Sequence, residues 1–121
     1  MLRATRLKRE ADFNRVRERG RNYSNRYIAL YALRNELERS RVGIAAGKKL
    51  GKAHVRVRVK RLLREAIRLR YVRIQPGWDL LLVARAACVD QKLATVAPAV
   101  EEILRRASLL ARAPANLQTP D

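Results

Sequence analysis

The segment His54–Val72 constrains the fold most, because it runs 19 residues without a proline or glycine. At 100° per residue, Val55, Val59, Leu62, Leu63, Ala66, Ile67 and Leu69 fall on one broad apolar stripe. Arg56, Lys60, Arg61, Arg64 and Arg68 fall on the opposite side, with Val57 in the middle of them. A helix of this kind must bury one side against a core and turn the other to something that accepts cations. Few glutamates interleave with the arginines as i,i+4 partners, so a self-neutralised solvent face is a poor reading of that side.

The rest of the chain supplies the core. Leu80–Ala84 is a continuous aliphatic run behind Asp79, as in a strand buried on both faces. Arg26–Leu33 alternates at period two, with Tyr27, Ala29, Tyr31 and Leu33 on one face and Ile28, Leu30 and Ala32 on the other. Val42–Ala46 reads as the next strand, expected antiparallel to its predecessor through the polar loop Arg34–Ser40. Asn22–Asn25 reads as a turn or a short edge strand. Arg9–Arg19 reads as a short helix stopped by Gly20. Thr95 is placed to cap a last helix with Pro98 in its first turn and Val96, Val100, Ile103, Leu104 and Ala107 on one face. The connection through the long helix has the length of a βαβ unit, which permits parallel pairing. The expected fold is an α/β (α+β) two-layer sandwich in the order αβββαβα, with the tyrosine face partly open. One domain is expected over residues 1–110, followed by a frayed tail at 111–121.

Charge narrows the partner. The chain has 28 basic and 11 acidic residues, a net +17, and 23 of the basic residues with six of the acidic ones lie between Arg3 and Arg73. All of the net charge therefore sits in that segment, and arginine dominates it. Guanidinium forks grip phosphates bidentately and stack on bases. Four of the six aromatics, Phe13, Tyr23, Tyr27 and Tyr31, fall in the first half of that segment. Rings beside cations suit unpaired nucleic acid: bases stack while the charges follow the backbone. The loop Gly47–Lys52 lacks Walker spacing but offers backbone donors and ammonium groups to a phosphate chain.

Protein-borne catalysis is poorly supplied. One histidine, His54, and one cysteine, Cys88, make neither a histidine pair nor a zinc finger. His54 reads as a helix-start residue. Glu36, Glu38, Glu101 and Glu102 read as solvated surface, and Trp78 as a packing anchor. No catalytic residue and no protein metal site are expected. A lone cysteine excludes an intrachain disulfide and fits a reducing cytosol. No apolar run approaches the length of a membrane span, and Met1–Arg6 lacks the apolar core of a signal peptide. A cytoplasmic location is expected.

Lys48-Lys49-Leu50-Gly51-Lys52-Ala53, followed by Arg56-Val57-Arg58-Val59-Lys60-Arg61-Leu62-Leu63-Arg64-Glu65, resembles the signature of bacterial ribonuclease P protein components. That pattern is K-K-x-G-K-A and then R-N-x-x-K-R-x-x-R-E. Asp12-Phe13 with Val16 and Gly20, Ser24-Asn25-Arg26, Arg41-Val42-Gly43 and Gly77-Trp78-Asp79 through Ala84-Arg85 resemble family positions in the same order, over about Leu7 to Ala107.

The resemblance implies a small fold with a left-handed βαβ crossover. It implies a catalytic RNA subunit that removes 5′ leaders from precursor tRNA with Mg²⁺ held mainly by RNA. No membrane and no obligate protein partner are implied. Lys48, Lys49, Lys52, Arg56, Arg58, Lys60, Arg61, Arg64 and Arg68 would face RNA. Phe13 and Tyr31 would line a leader cleft, to which the tyrosine face adds Tyr27. Arg17 would join them, standing where the family often has an aromatic. Val57 replaces the motif asparagine, and Gly47 replaces a serine before the lysines. Two other classes fit parts of the sequence: a non-catalytic structural RNA-binding protein, such as a ribosome-associated factor, and a basic helix on an anionic membrane.

Overall fold

The computed structural model describes residues 5–110, so the expected frayed tail lies outside them. Helix α1 (Glu10–Arg19) is followed by strands β1 (Arg21–Ser24), β2 (Ile28–Arg34) and β3 (Arg41–Ala45). Helix α2 (Ala53–Arg68), strand β4 (Trp78–Ala84) and helix α3 (Leu93–Arg106) complete the order αβββαβα. The four strands make one mixed sheet in the order β1-β2-β4-β3.

Strand β4 takes the position that its composition demands. Leu80, Leu81 and Leu82 are fully buried, with apolar side chains on both faces, so the strand sits inside the sheet. It pairs antiparallel with β2 (Leu30 opposite Leu82) and parallel with β3 (Ile44 opposite Leu82). The expected antiparallel β2–β3 hairpin is therefore corrected: β4 lies between those strands, and β3 pairs within the sheet only with β4. The preference for neighbouring strands loses here to the burial of the most apolar segment.

Helices α2 and α3 cover one sheet face. Ile28, Leu30, Leu80 and Leu82 meet Val59, Leu63, Ile67, Val100, Ile103 and Leu104 there, all completely buried. Each such side chain contributes roughly 1.5–3 kcal/mol of burial. Helix α1 lies on the other face, where Leu7, Val16 and Leu81 form a second buried cluster. The tyrosine face is thus partly roofed by α1. Gly20 ends α1 by close approach: a Cβ there would stand 2.5 Å from the Val16 carbonyl oxygen and 3.0 Å from that of Ala32.

Several boundaries shift for local reasons. Helix α2 ends at Arg68, short of Val72, and the chain tightens into a 3-10 turn at Tyr71–Arg73. That turn brings the Tyr71 hydroxyl to donate to the Ser40 carbonyl, and it leaves Leu69 and Val72 exposed. Helix α3 starts at Leu93, with Lys92 at its cap and no side-chain cap bond, so Thr95 is not the cap. Pro98 then sits in the second turn and removes the donor for the Ala94 carbonyl, where both residues are exposed and water can substitute. Glu101 and Glu102 are not merely solvated. Glu101 pairs with Arg70 (3.2 Å), Arg73 (3.6 Å) and Arg105 (2.9 Å), and Glu102 pairs with Arg106 (2.8 Å).

Candidate nucleic-acid interface

Helix α1 aims one edge along the sheet. Phe13 and Arg17 are one turn apart and project from the same side. The Phe13 ring packs on Gly43 of β3: a Cβ there would lie 2.6 Å from Phe13 Cε1. The Arg17 guanidinium lies over Tyr31 of β2, 6.0 Å from the ring centroid, in the range of a cation–π contact. Tyr31, Ala45 and Val83 are half-buried beside them. The result is a cleft between α1 and the sheet, with aromatic rings and a cation on one apolar floor.

Phe13 also borders a cavity of about 320 Å³ toward α2, lined besides by Leu7, Val42, Ile44 and four cations, Arg6, Lys8, Lys60 and Arg64. No carboxylate lines it. Burial disfavours the charged form of Arg64, and Arg6 and Arg61 add repulsion. An anion placed there would relieve the excess positive charge. Sequence reasoning missed Arg6 and Lys8. They arrive because the Leu7 amide donates to the Val42 carbonyl (2.9 Å) and Arg6 bridges Val42, laying the leading segment along the outer edge of β3. Only tertiary pairing carries that information.

The basic residues of α2 and its loop divide by direction. Lys60 and Arg64 line the cavity. Arg61 points outward beside Val57, which is 46% exposed. Arg56 is half-buried. Arg58 lies on the far flank and donates to the Gln91 carbonyl (2.9 Å). Arg68 is held by Glu65 in a 2.6 Å ion pair. Lys48, Lys49 and Lys52 are exposed on the loop leading into α2, which turns at Gly51 with φ of 139°, a value that favours glycine.

Tyr27 is corrected. It packs against the cluster under α2 and α3, away from Tyr31, with Arg26 over its ring at 5.6 Å. The cause is Asn25, whose Oδ1 accepts from the amides of Tyr27 (3.0 Å) and Ile28 (3.1 Å). This local turn breaks the alternation before β2 begins. Trp78 is half-buried in the core, with Arg34 over its ring at 5.4 Å.

Beneath the other side of α1 lies Asp79, with no exposed surface. Its Oδ1 accepts from Arg41 Nε (2.9 Å) and Asn35 Nδ2 (2.9 Å). Its Oδ2 accepts from Arg41 (2.7 Å) and Arg15 (2.7 Å). Burial alone would raise this carboxyl, but the bonds from Arg41 and Asn35 and the charges of Arg41 and Arg15 outweigh it and hold the group below the usual carboxylate range. His54 is exposed at the start of α2. Among the described residues, no three His, Cys, Asp or Glu side chains converge as a metal cage.

A model of the ribonuclease P family matches residues 1–108. The chain belongs to the ribonuclease P protein family. It is 42% identical to the ribonuclease P protein component of Symbiobacterium thermophilum, over 93% of this chain and 98% of that one. It is 36% identical to that of Clostridioides difficile, over 85% and 91% of the two chains. The ribonuclease P protein of Staphylococcus aureus superposes with a TM-score of 0.81 at 31% identity, covering 89% of this chain and 99% of that one. The Thermotoga maritima protein superposes with a TM-score of 0.77 at 28% identity, covering 84% and 96%. Ribonuclease P protein components are the protein part of an RNA-based endoribonuclease that matures the 5′ ends of tRNA. Helix α2 buries its apolar stripe in the core under the sheet, so that stripe is not free to lie on an anionic membrane, and among the described residues no helix is long and apolar enough to cross a bilayer.

Proposed function

We propose that this ribonuclease P protein grips the single-stranded 5′ leader of precursor tRNA in the cleft between α1 and the sheet, while α2 and the Lys48–Lys52 loop face the catalytic RNA. One observation carries the reading: the cavity that joins Phe13 to Lys60 and Arg64 with no carboxylate in its lining. A leader entering it meets rings for its bases and cations for its phosphates in one continuous path. Tyr31 and Phe13 offer stacking faces, and Arg17, Lys60, Arg64, Arg6 and Lys8 offer charge. Arg61 and the exposed lysines belong to the outward surface that meets the catalytic RNA.

The buried carboxylate Asp79 is saturated by three donor residues and Glu101 and Glu102 are paired with arginines, so these three offer no free ligands to Mg²⁺, and among the described residues no three such groups converge. On this proposal phosphodiester hydrolysis and the Mg²⁺ it uses belong to the RNA subunit, and the protein's part is to hold substrate. This reading places the protein in the cytoplasm with its RNA partners. Reconstitution tests it. Mixed with a bacterial catalytic RNA at low Mg²⁺, the protein is expected to stimulate cleavage of precursor tRNA, and alone to cleave nothing. Absence of stimulation across several such RNAs would contradict it.

A further inference from the structure

The far side of α1 carries a second cavity, of about 420 Å³, whose lining includes Arg15, Arg19, Arg34, Arg41 and Asp79. Its floor is no free anion site. Arg15 and Arg41 spend their charge on Asp79, and Arg15 also pairs with Asp12 at 3.0 Å. What those bonds fix is the roll of α1.

Val16 is the one fully buried residue of α1. The helix's other contacts with the sheet, Phe13 on Gly43 and Arg17 over Tyr31, lie to one side of Val16, so on the opposite side the helix is held by Arg15, and a ten-residue helix is marginal on its own. Val16 packs with Leu81. Asp79 lies two residues before Leu81 on the same face of β4, about 7 Å away. Arg15 stands about 200° around the helix from both Phe13 and Arg17. The helix thus rests on Leu81 through Val16, is tied down by Arg15 on one side, and overhangs the cleft with Phe13 and Arg17 on the other.

We propose that Arg15, through its bond to the buried Asp79 carboxylate, is a positioning residue that sets the width of the leader cleft without touching RNA. The proposal rests on the leader-cleft reading above. It predicts that leader recognition is lost when a bond outside the cleft is cut, while Val16 still holds the helix on the sheet.

The variant is Arg15→Met, which keeps the stem and leaves Asp79 bonded to Arg41 and Asn35. In the reconstituted holoenzyme, the ratio of affinities for leader-bearing over leaderless tRNA is expected to fall about tenfold, the equivalent of one lost base stack. The salt dependence of binding, the affinity for catalytic RNA and the thermal midpoint are expected to stay near those of the parent. An unchanged ratio overturns the proposal. So does a fall accompanied by a salt slope lower by about one, which would make Arg15 a direct phosphate contact. So does an equal loss of catalytic-RNA affinity, which would mean general damage to the fold. Tyr31→Ala is measured in parallel. If Tyr31→Ala lowers the ratio and Arg15→Met does not, only the tether fails. If neither lowers it, the cleft reading itself fails.

Discussion

Phe13 of α1 packs directly on the bare backbone of Gly43 in β3, so close that a Cβ on Gly43 would stand 2.6 Å from the ring edge. The contact is possible only because β3 presents no side chain at that point. Gly43→Ala is expected to push the ring outward and narrow the cleft. Overpacking of this kind costs about 1–3 kcal/mol of stability. Denaturant unfolding measures that loss, and binding of leader-bearing tRNA is expected to weaken along with it. A variant of parental stability would show that the ring moves aside freely.

Tyr31 faces the cleft beneath Arg17. Tyr31→Ala is expected to weaken binding of leader-bearing tRNA by about 1–3 kcal/mol, as for one lost base stack. Binding of mature tRNA is expected to be unchanged. Equal losses on both substrates would make Tyr31 a structural residue only.

The α2 cations are not equivalent. Arg64→Ala is expected to lower the salt slope of RNA binding by about one, because Arg64 lines a cavity without carboxylates. Arg68→Ala is expected to lower it by less, because Glu65 already neutralises Arg68. Titrations of binding against salt separate the two, and identical slopes would show that the Glu65 pair opens on RNA.

Much of this was legible in the sequence where the signal is local. The stripe of α2 and the aliphatic run of β4 are periodic patterns, and both gave the right elements. The β2–β3 pairing was misread because the strand that separates them follows more than 30 residues later. Tyr27 was misplaced because one Asn25 side chain overrides alternation. Among site residues, Phe13, Arg17 and Tyr31 gather as expected, whereas Arg6 and Lys8 reach the cavity by pairing with the edge of β3, which no periodicity announces. The Arg15–Asp79 bond spans 64 positions and has no sequence signature at all.

Asp79 ties stability to pH. Its carboxyl is held below the ordinary value of about 3.9, so its contribution is full above that value and is lost as pH falls through the lower folded one. Asp79→Asn leaves Arg41 without its anion and Arg15 with Asp12 alone, and because both arginines are partly exposed it is expected to cost about 1–3 kcal/mol at pH 7. The gap between variant and parent is expected to shrink below about pH 4, as the parent's own carboxyl protonates. Unfolding curves at both pH values check the sign. A gap constant with pH would mean that the charge of Asp79 is irrelevant.

The most direct test places a photoreactive base in the 5′ leader of precursor tRNA bound to the reconstituted holoenzyme and maps the protein adducts by mass spectrometry. The account predicts adducts on the peptides that carry Phe13, Arg17 and Tyr31. Adducts confined to α3, or leader nucleotides that never crosslink to the α1–sheet cleft, would contradict it.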